Sequence, residues 1–168
     1  IWGRIVWFRN VGSRTEPRLE SARAVQIDWG DSSPRGPSWN WWAPTGDEFV
    51  SQWRTRPMVT DWDRDGLNDI VMLDHDGYLA LFRRVRKDGR LVLSPGKRIF
   101  AGEAGSGYDR QHRVVDSSPG PLRLNMDRAG KSGRRKIDLV DWDGDGRTDL
   151  LANTTSVAWH RNLGVEDG

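Results

Sequence analysis

The sequence predicts an all-β fold made of short antiparallel strands that recur in repeated units. Three observations indicate this: segments in which apolar and polar residues alternate, acidic loops of nearly identical sequence between those segments, and 19 Gly and 8 Pro in 168 residues. Strict alternation is typical of strands that bury one face, and frequent Gly and Pro interrupt regular structure. Long helices are therefore not expected.

The last strand of the predicted unit occurs three times along the chain. Its copies are RIVWFRNVG at 4–12, YLALFRRVR at 78–86 and SVAWHRNLG at 156–164. Successive copies are 74 and 78 residues apart, and each alternates apolar and polar side chains. Self-similarity at a long period indicates a repeat architecture.

A first strand precedes each acidic loop, and a middle strand follows it. The first strands are AVQIDWG at 24–30, PMVTDWD at 57–63 and KIDLVDWD at 136–143. The middle strands begin with NDIV at 68–71 and TDLL at 148–151. Asp and Gly between the middle and last strands suit a tight hairpin turn. The predicted unit is therefore strand, acidic loop, strand, turn and strand.

Such units are typical of β-propeller blades or a related all-β array. We expect the last strand of a preceding blade at 1–12, a blade with the first acidic loop at 13–90, and a blade with the second at 91–168. Because a closed propeller has about four to eight blades, the remaining blades are expected in the same polypeptide or in another chain. The start at Ile1 rather than Met leads us to expect a processed or excised piece.

Composition argues against several classes of function. The chain has no Cys, which excludes disulfides and thiolate metal sites, and no apolar run of about 18 residues that would span a membrane. A formal net charge of +2 argues against a nucleic-acid partner. Of the 26 basic residues 22 are Arg, which either pair with the 24 Asp and Glu or bind an anionic ligand through the planar guanidinium.

Two loops carry Asp at every second position, DWDRDGLND at 61–69 and DWDGDGRTD at 141–149. Alternate carboxylates on a tight turn can converge on one hard cation, whose charge offsets their repulsion. The predicted ligands are four carboxylates and one backbone carbonyl in each loop. They are Asp61, Asp63, Asp65, the carbonyl of Leu67 and Asp69 in the first loop, and Asp141, Asp143, Asp145, the carbonyl of Arg147 and Asp149 in the second.

Calcium is the predicted cation, with one ion in each loop. Magnesium prefers few protein ligands, and transition metals favour His or Cys, which both loops lack. An EF-hand is excluded because position 12 holds Met72 or Ala152 instead of Glu. The alternative is a pair of Asp/Gly turns without metal. A third copy, DWGDSS at 28–33, lacks two of the carboxylates, so no tight site is expected there.

The pattern DxDxDGxxD between strands resembles the FG-GAP or VCBS repeat family, which includes the calcium-binding blades of integrin α-subunit propellers and many secreted bacterial proteins. The match covers about 57–84 and 136–164, with weaker traces at 1–12 and 24–33. The resemblance implies propeller blades, calcium as a structural ion, and an extracellular location in a secreted or surface protein. The FG and GAP strings are not evident, and the long repeat spacing requires inserted loops.

Repeats of this family occur in lectins, polysaccharide lyases and adhesion receptors. The resemblance therefore implies a polysaccharide as the partner, and an acidic polysaccharide is one option. The Trp-rich stretch WNWW at 39–42 offers stacking faces for sugar rings, and nearby Arg side chains offer bidentate contacts to a carboxylate or sulfate. The predicted ligand-binding residues are Trp39, Trp41, Trp42, Arg54 and Arg56. Alternatively, the Trp side chains are buried and the Arg pair with Asp47 and Glu48.

A carbohydrate-active enzyme such as a polysaccharide lyase is the alternative function, and a protein–protein adhesion scaffold is the third. A lyase needs an acid and a base beside a charge-neutralising Arg. The best such cluster in the sequence is His112 with Tyr108 and Arg110, although composition alone can produce it. We expect this segment to bind rather than to catalyse.

Overall fold

The protein is all-β in the computed structural model, and its sheets are small and antiparallel. The structure describes residues 4–31, 45–51, 54–103, 108–109, 112–113, 119–124, 135–153 and 157–164. The strands are β1 (Val6–Trp7), β2 (Arg23–Ala24), β3 (Met58–Thr60), β4 (Asp69–Leu73), β5 (Leu79–Phe82), β6 (Arg84–Lys87), β7 (Arg90–Leu93), β8 (Ala101–Gly102), β9 (Tyr108–Asp109), β10 (His112–Arg113), β11 (Gly120–Pro121), β12 (Ile137–Val140), β13 (Asp149–Asn153) and β14 (Val157–His160). Within these ranges there is no helix with the length and hydropathy needed to cross a membrane.

Two three-stranded sheets share one topology. The first has the order β3-β4-β5 and the second has the order β12-β13-β14, and all neighbouring strands are antiparallel. In each sheet an acidic loop joins the first strand to the second. Ile70 pairs with Phe82 in the first sheet and Leu150 pairs with His160 in the second, so the registers correspond. The predicted repeat of strand, acidic loop, strand, turn and strand is present in the first sheet. The second sheet has the same three strands and acidic loop, and its predicted turn at 154–156 lies outside the described residues.

The turn between β4 and β5 depends on Asp74. Its Oδ1 accepts hydrogen bonds from the backbone N–H of Asp76 (2.9 Å) and of Tyr78 (3.1 Å). Gly77 has a φ of 88°, in the left-handed region that Gly occupies without steric cost. The Asp and Gly of DHDG therefore have the turn-forming roles that the sequence predicted.

A hydrophobic core lies between the two three-stranded sheets. Val71 of the first sheet belongs to the same buried cluster as Ile137 and Leu150 of the second. Trp62 packs against this cluster and meets Phe100 edge-on, with ring centroids 5.0 Å apart. The buried members are Val71, Leu73, Leu79, Leu81, Leu122, Leu124, Ile137, Leu150 and Ala152.

The opposite face of the first sheet is also covered. Its residues Ile70, Met72, Ala80 and Phe82 form a second core with Ile27, Phe49 and Leu93, and Ile5, Val25 and Trp29 pack against it. Phe49 and Phe82 lie with ring centroids 4.5 Å apart. The predicted alternation of apolar and polar residues is wrong for β5, which is a continuous apolar run, as is β4 after Asp69. The reason is that side chains on both faces of these strands are buried.

In the described part of the chain, four two-stranded pairs accompany these sheets, namely β1-β2, β6-β7, β8-β11 and β9-β10. The β6-β7 hairpin turns through Asp88 and Gly89, whose φ angles of 49° and 75° fit a type I′ turn. The prediction of an all-β fold of short antiparallel strands is confirmed. The arrangement as propeller blades, and the boundaries at residues 12 and 90, stay predictions.

Candidate metal centres

The first acidic loop joins β3 to β4 and is folded by its own carboxylates. Oδ2 of Asp61 accepts a hydrogen bond from the backbone N–H of Gly66 (3.0 Å), and Oδ1 of Asp65 accepts one from the N–H of Leu67 (2.8 Å). Arg64 and Gly66 have φ angles of 61° and 85°. Two left-handed residues bend the chain sharply, so that the alternating carboxylates can point inward.

The second acidic loop, between β12 and β13, repeats this construction. Asp141 accepts hydrogen bonds from the N–H of Gly144 (2.8 Å) and of Gly146 (3.0 Å), and Asp145 accepts one from the N–H of Arg147 (2.9 Å). Gly144 and Gly146 have φ angles of 77° and 85°. Position 4 is thus left-handed in both loops, although one loop has Gly there and the other has Arg.

Carboxylates converge in both loops. Asp61, Asp63 and Asp65 each place one oxygen within 4.8 Å of the others, and Asp141, Asp143 and Asp149 do the same. Two acidic clusters that could hold a metal ion are therefore present at the predicted places. The carbonyl oxygens of Leu67 and Arg147, and the carboxylates of Asp69 and Asp145 outside these clusters, stay predicted ligands.

The chemistry of these clusters fits a hard cation. All the converging atoms are oxygens, which calcium prefers, whereas three unscreened carboxylates repel one another. In the first loop Oδ1 of Asp61 is buried and has no hydrogen-bond partner in the described part of the chain. A buried carboxylate oxygen without a partner is costly unless a cation satisfies it.

The Asp at position 9 has a second role that the sequence analysis missed. Asp69 is buried and accepts hydrogen bonds from the N–H of Trp62 (3.1 Å) and of Arg84 (2.7 Å). It thus ties the start of the loop to the residues that follow β5. The position-9 carboxylate therefore couples the loop to the third strand of its own sheet.

Asp149 makes the corresponding contacts in the second sheet. It is buried and accepts hydrogen bonds from the N–H of Trp142 (3.2 Å), the N–H of Asn162 (2.7 Å) and the indole N–H of Trp159 (3.0 Å). The spacing of the motif places an Asp there, but only the register of the sheet shows which N–H groups face it.

An Arg at the end of each third strand contacts its acidic loop, and the sequence analysis missed this as well. Arg83 forms an ion pair with Asp63, and its Nη2 lies 3.6 Å from Oδ2 of Asp65. Arg161 places Nε 2.7 Å from Oδ2 of Asp143 and Nη2 3.4 Å from Asp145. The signal was available, because both Arg occupy the same position in the repeated last strand. These guanidinium groups offset part of the loop charge.

In the third loop, which begins at Asp28, a Lys side chain contacts the first carboxylate. Oδ2 of Asp28 accepts a hydrogen bond from Nζ of Lys87 (2.7 Å), and Oδ1 accepts one from the N–H of Gly30 (2.9 Å). The hydrogen bond from Lys87 is the main reason that the pKa of Asp28 lies below its usual value. A Lys side chain therefore neutralises the carboxylate at position 1. The absence of a tight metal site in this loop stays a prediction.

Hydrogen bonds also lower the pKa of Asp149. The N–H of Asn162 contributes most, and the N–H groups of Trp159 and Trp142 act in the same direction, while burial opposes them. The pKa of Asp145 is lowered too, first by the N–H of Arg147 and then by its guanidinium. Both carboxyl groups are therefore easier to ionise in the folded chain than in the unfolded one.

Acid is expected to destabilise the calcium-free chain. The folded pKa of Asp149 lies below the unfolded one. The ionised carboxylate therefore contributes fully to the free energy of unfolding above about pH 4, and this contribution is lost as the pH falls through the folded pKa. Urea denaturation at stepped pH values, after removal of calcium, measures this decline. The variant Asp149→Asn should show a shallower decline, and equal slopes for variant and parent would contradict the assignment.

The predicted sugar and catalytic residues are less well defined. Trp39, Trp41, Trp42 and Arg110 lie outside the described residues. Tyr108 and His112 are described only as backbone, in the β9-β10 pair. Arg54 and Arg56 are exposed, whereas Glu48 forms an ion pair with Arg4 at 2.7 Å. The sugar-binding and catalytic assignments stay predictions.

Comparisons with known proteins identify no relative. No protein-family model matches the chain, no curated protein matches it, and no solved structure matches it. The resemblance to FG-GAP or VCBS repeats therefore rests on the acidic motif alone.

Proposed function

We propose that this chain is a calcium-stabilised repeat module of the FG-GAP or VCBS type. One observation carries the proposal: the same acidic loop occupies the same place in two sheets of the same topology, and three carboxylate oxygens in each loop lie within 4.8 Å of one another. Positions 1 and 3 belong to both clusters, and the third member is position 5 in the first loop and position 9 in the second. An accidental cluster of surface Asp would not recur in the same loop of two sheets with equivalent backbone geometry.

The role of calcium in this proposal is structural. Each loop links the first two strands of a sheet, and its position-9 carboxylate bonds to the backbone beyond the third strand. A cation held by the loop would therefore fix the relative positions of all three strands. The carboxylates are the groups that would bind it, and no chemical step is assigned to them.

The wider setting is part of the same proposal. Propeller blades are implied by the motif and supported by the repeated all-β sheets. A secreted or surface protein with a polysaccharide as partner is implied by the resemblance alone. The alternatives to a polysaccharide-binding module are a carbohydrate-active enzyme and a protein–protein adhesion scaffold. The described side chains favour neither of these, because the aromatic loop and the His112 cluster are not among them.

Isothermal titration calorimetry of the decalcified chain tests the proposal. We expect two calcium ions per chain, because the described residues contain two such clusters. Asp63→Ala and Asp143→Ala should each leave one ion bound, since each removes a central ligand from one loop. Asp138→Ala is the matched control, because this exposed carboxylate lies in β12 just before the second loop, and it should leave two ions bound. Stoichiometry unaffected by the loop variants would contradict the proposal.

A further inference from the structure

The two acidic loops differ at position 7, which is Leu67 in the first loop and Arg147 in the second. The backbone there is alike, because the N–H of each residue donates to the carboxylate at position 5, at 2.8 Å in the first loop and 2.9 Å in the second. The side chains differ. Nη2 of Arg147 also donates to Oδ2 of Asp145, at 2.6 Å, whereas Leu67 has no group that could hold Asp65 in this way.

The position-5 carboxylate has a different place in the two loops. Asp65 is one of the three carboxylates whose oxygens converge in the first loop, whereas Asp145 is outside the converging group of the second. Oδ2 of Asp145 lies 2.6 Å from Nη2 of Arg147 and 3.4 Å from Nη2 of Arg161. A carboxylate oxygen that is held by guanidinium groups must leave them before it can bind calcium.

The carboxylate at position 1 differs in the same direction. Oδ1 of Asp61 is buried and has no hydrogen-bond partner in the described part of the chain. Both oxygens of Asp141 accept hydrogen bonds, from the N–H groups of Gly144 (2.8 Å) and Gly146 (3.0 Å). An oxygen without a partner gains the most from a bound cation, because its desolvation is otherwise uncompensated. The first loop therefore stands to gain more from calcium than the second.

Net charge does not distinguish the loops. Each has four Asp and one Arg between its first and ninth positions, and each is contacted by one Arg after its third strand, Arg83 or Arg161. The Arg within the first loop is Arg64, which forms no ion pair with another described residue. The difference is that Arg147 holds a carboxylate of its loop and Arg64 does not.

We propose that Arg147 competes with calcium for Asp145, so that the first loop fills at lower free calcium than the second. The inference rests on the proposed function and names the residue that sets the affinity of one of its two sites. At free calcium between the two dissociation constants, one ion is bound, and the sheet β12-β13-β14 is the part of the chain that responds to a change in calcium. The side chains of the Arg147–Asp145 pair are 44% and 18% exposed, so the expected effect on calcium affinity is about three- to tenfold.

Calorimetric titration of single-loop chains with calcium tests the inference. Asp143→Ala leaves the first loop intact and Asp63→Ala leaves the second intact, so each chain gives one dissociation constant, Kd. We expect Kd to be at least about threefold lower for the first loop than for the second.

Exchange of the position-7 side chains identifies the cause. Arg147→Leu in the Asp63→Ala chain should lower Kd about three- to tenfold, and Leu67→Arg in the Asp143→Ala chain should raise it by a similar factor. Arg64→Gln in the Asp143→Ala chain is the matched control, because it removes an exposed Arg charge from an acidic loop without breaking an ion pair. It should change Kd by about twofold or less, since water and salt screen an exposed charge.

The possible outcomes separate this inference from the proposed function. Circular dichroism in chelator verifies folding, and Asp63→Asn or Asp143→Asn replaces an Ala variant that unfolds. If the first loop does not bind calcium more tightly than the second, or if Arg147→Leu does not lower the Kd of the second loop, the inference is overturned and the calcium proposal stands. Folded single-loop chains that bind no calcium would contradict both.

Discussion

Saturation with calcium is expected to raise the free energy of unfolding by about 4 kcal/mol for each occupied loop, at a free calcium concentration about 1,000 times Kd. The reason is linkage: the folded loop gathers three carboxylate oxygens within 4.8 Å, and the unfolded chain does not. For a chain of this size, 4 kcal/mol corresponds to a rise in Tm of about 10 °C per site. Differential scanning calorimetry in calcium and in chelator measures both quantities.

Loop variants show which sites carry this stabilisation. Asp63→Ala and Asp143→Ala should each remove about half of the difference between calcium and chelator, because each leaves one loop intact. Magnesium should give a smaller rise in Tm, since it dehydrates reluctantly and prefers fewer protein ligands. The same Tm in calcium and in chelator would exclude calcium as a structural ion.

Asp69→Ala is expected to destabilise the calcium-free chain by about 2–4 kcal/mol. The substitution leaves the backbone N–H groups of Trp62 and Arg84 without their carboxylate partner, at a buried position. It also disconnects the acidic loop from the chain after β5. Urea denaturation in chelator, analysed by linear extrapolation, gives the free energy directly.

Two further substitutions separate this effect from a general loss of charge. Asp138→Ala removes an exposed carboxylate and should change the free energy of unfolding by about 0.5 kcal/mol or less. Asp69→Asn keeps one acceptor oxygen and should fall between the parent and Asp69→Ala. If Asp69→Ala is no less stable than Asp138→Ala in chelator, the position-9 carboxylate does not hold the sheet together.

The two arginines modify the electrostatics of the loops. Arg83 and Arg161 each bring one positive charge to two carboxylates of their own loop. A guanidinium group reduces the repulsion among the carboxylates. Unlike calcium, it cannot coordinate six to eight oxygen atoms. The loops therefore have a built-in counter-charge as well as a geometry that suits a divalent cation.

Local sequence predicted the elements of this fold well. Short apolar or alternating segments located the strands around each acidic loop, and Asp/Gly spacing located the turn between β4 and β5. These features depend on residues close together in the chain, such as Asp74 with Gly77 or Asp61 with Gly66. The acidic clusters were predictable for the same reason, because alternate residues of one tight loop must lie near one another.

The sequence by itself thus determined the all-β class, the repeated unit and the two acidic loops. Only the tertiary structure decided which face of each sheet is covered, and which groups Asp69, Asp149, Arg83 and Arg161 contact. The physical reason is that equivalent residues with similar local sequence have different neighbours. Trp62 meets Phe100 and a second sheet, whereas Trp142, in nearly the same loop, is exposed. Burial and long-range hydrogen bonds depend on how the sheets stack, which no local pattern encodes.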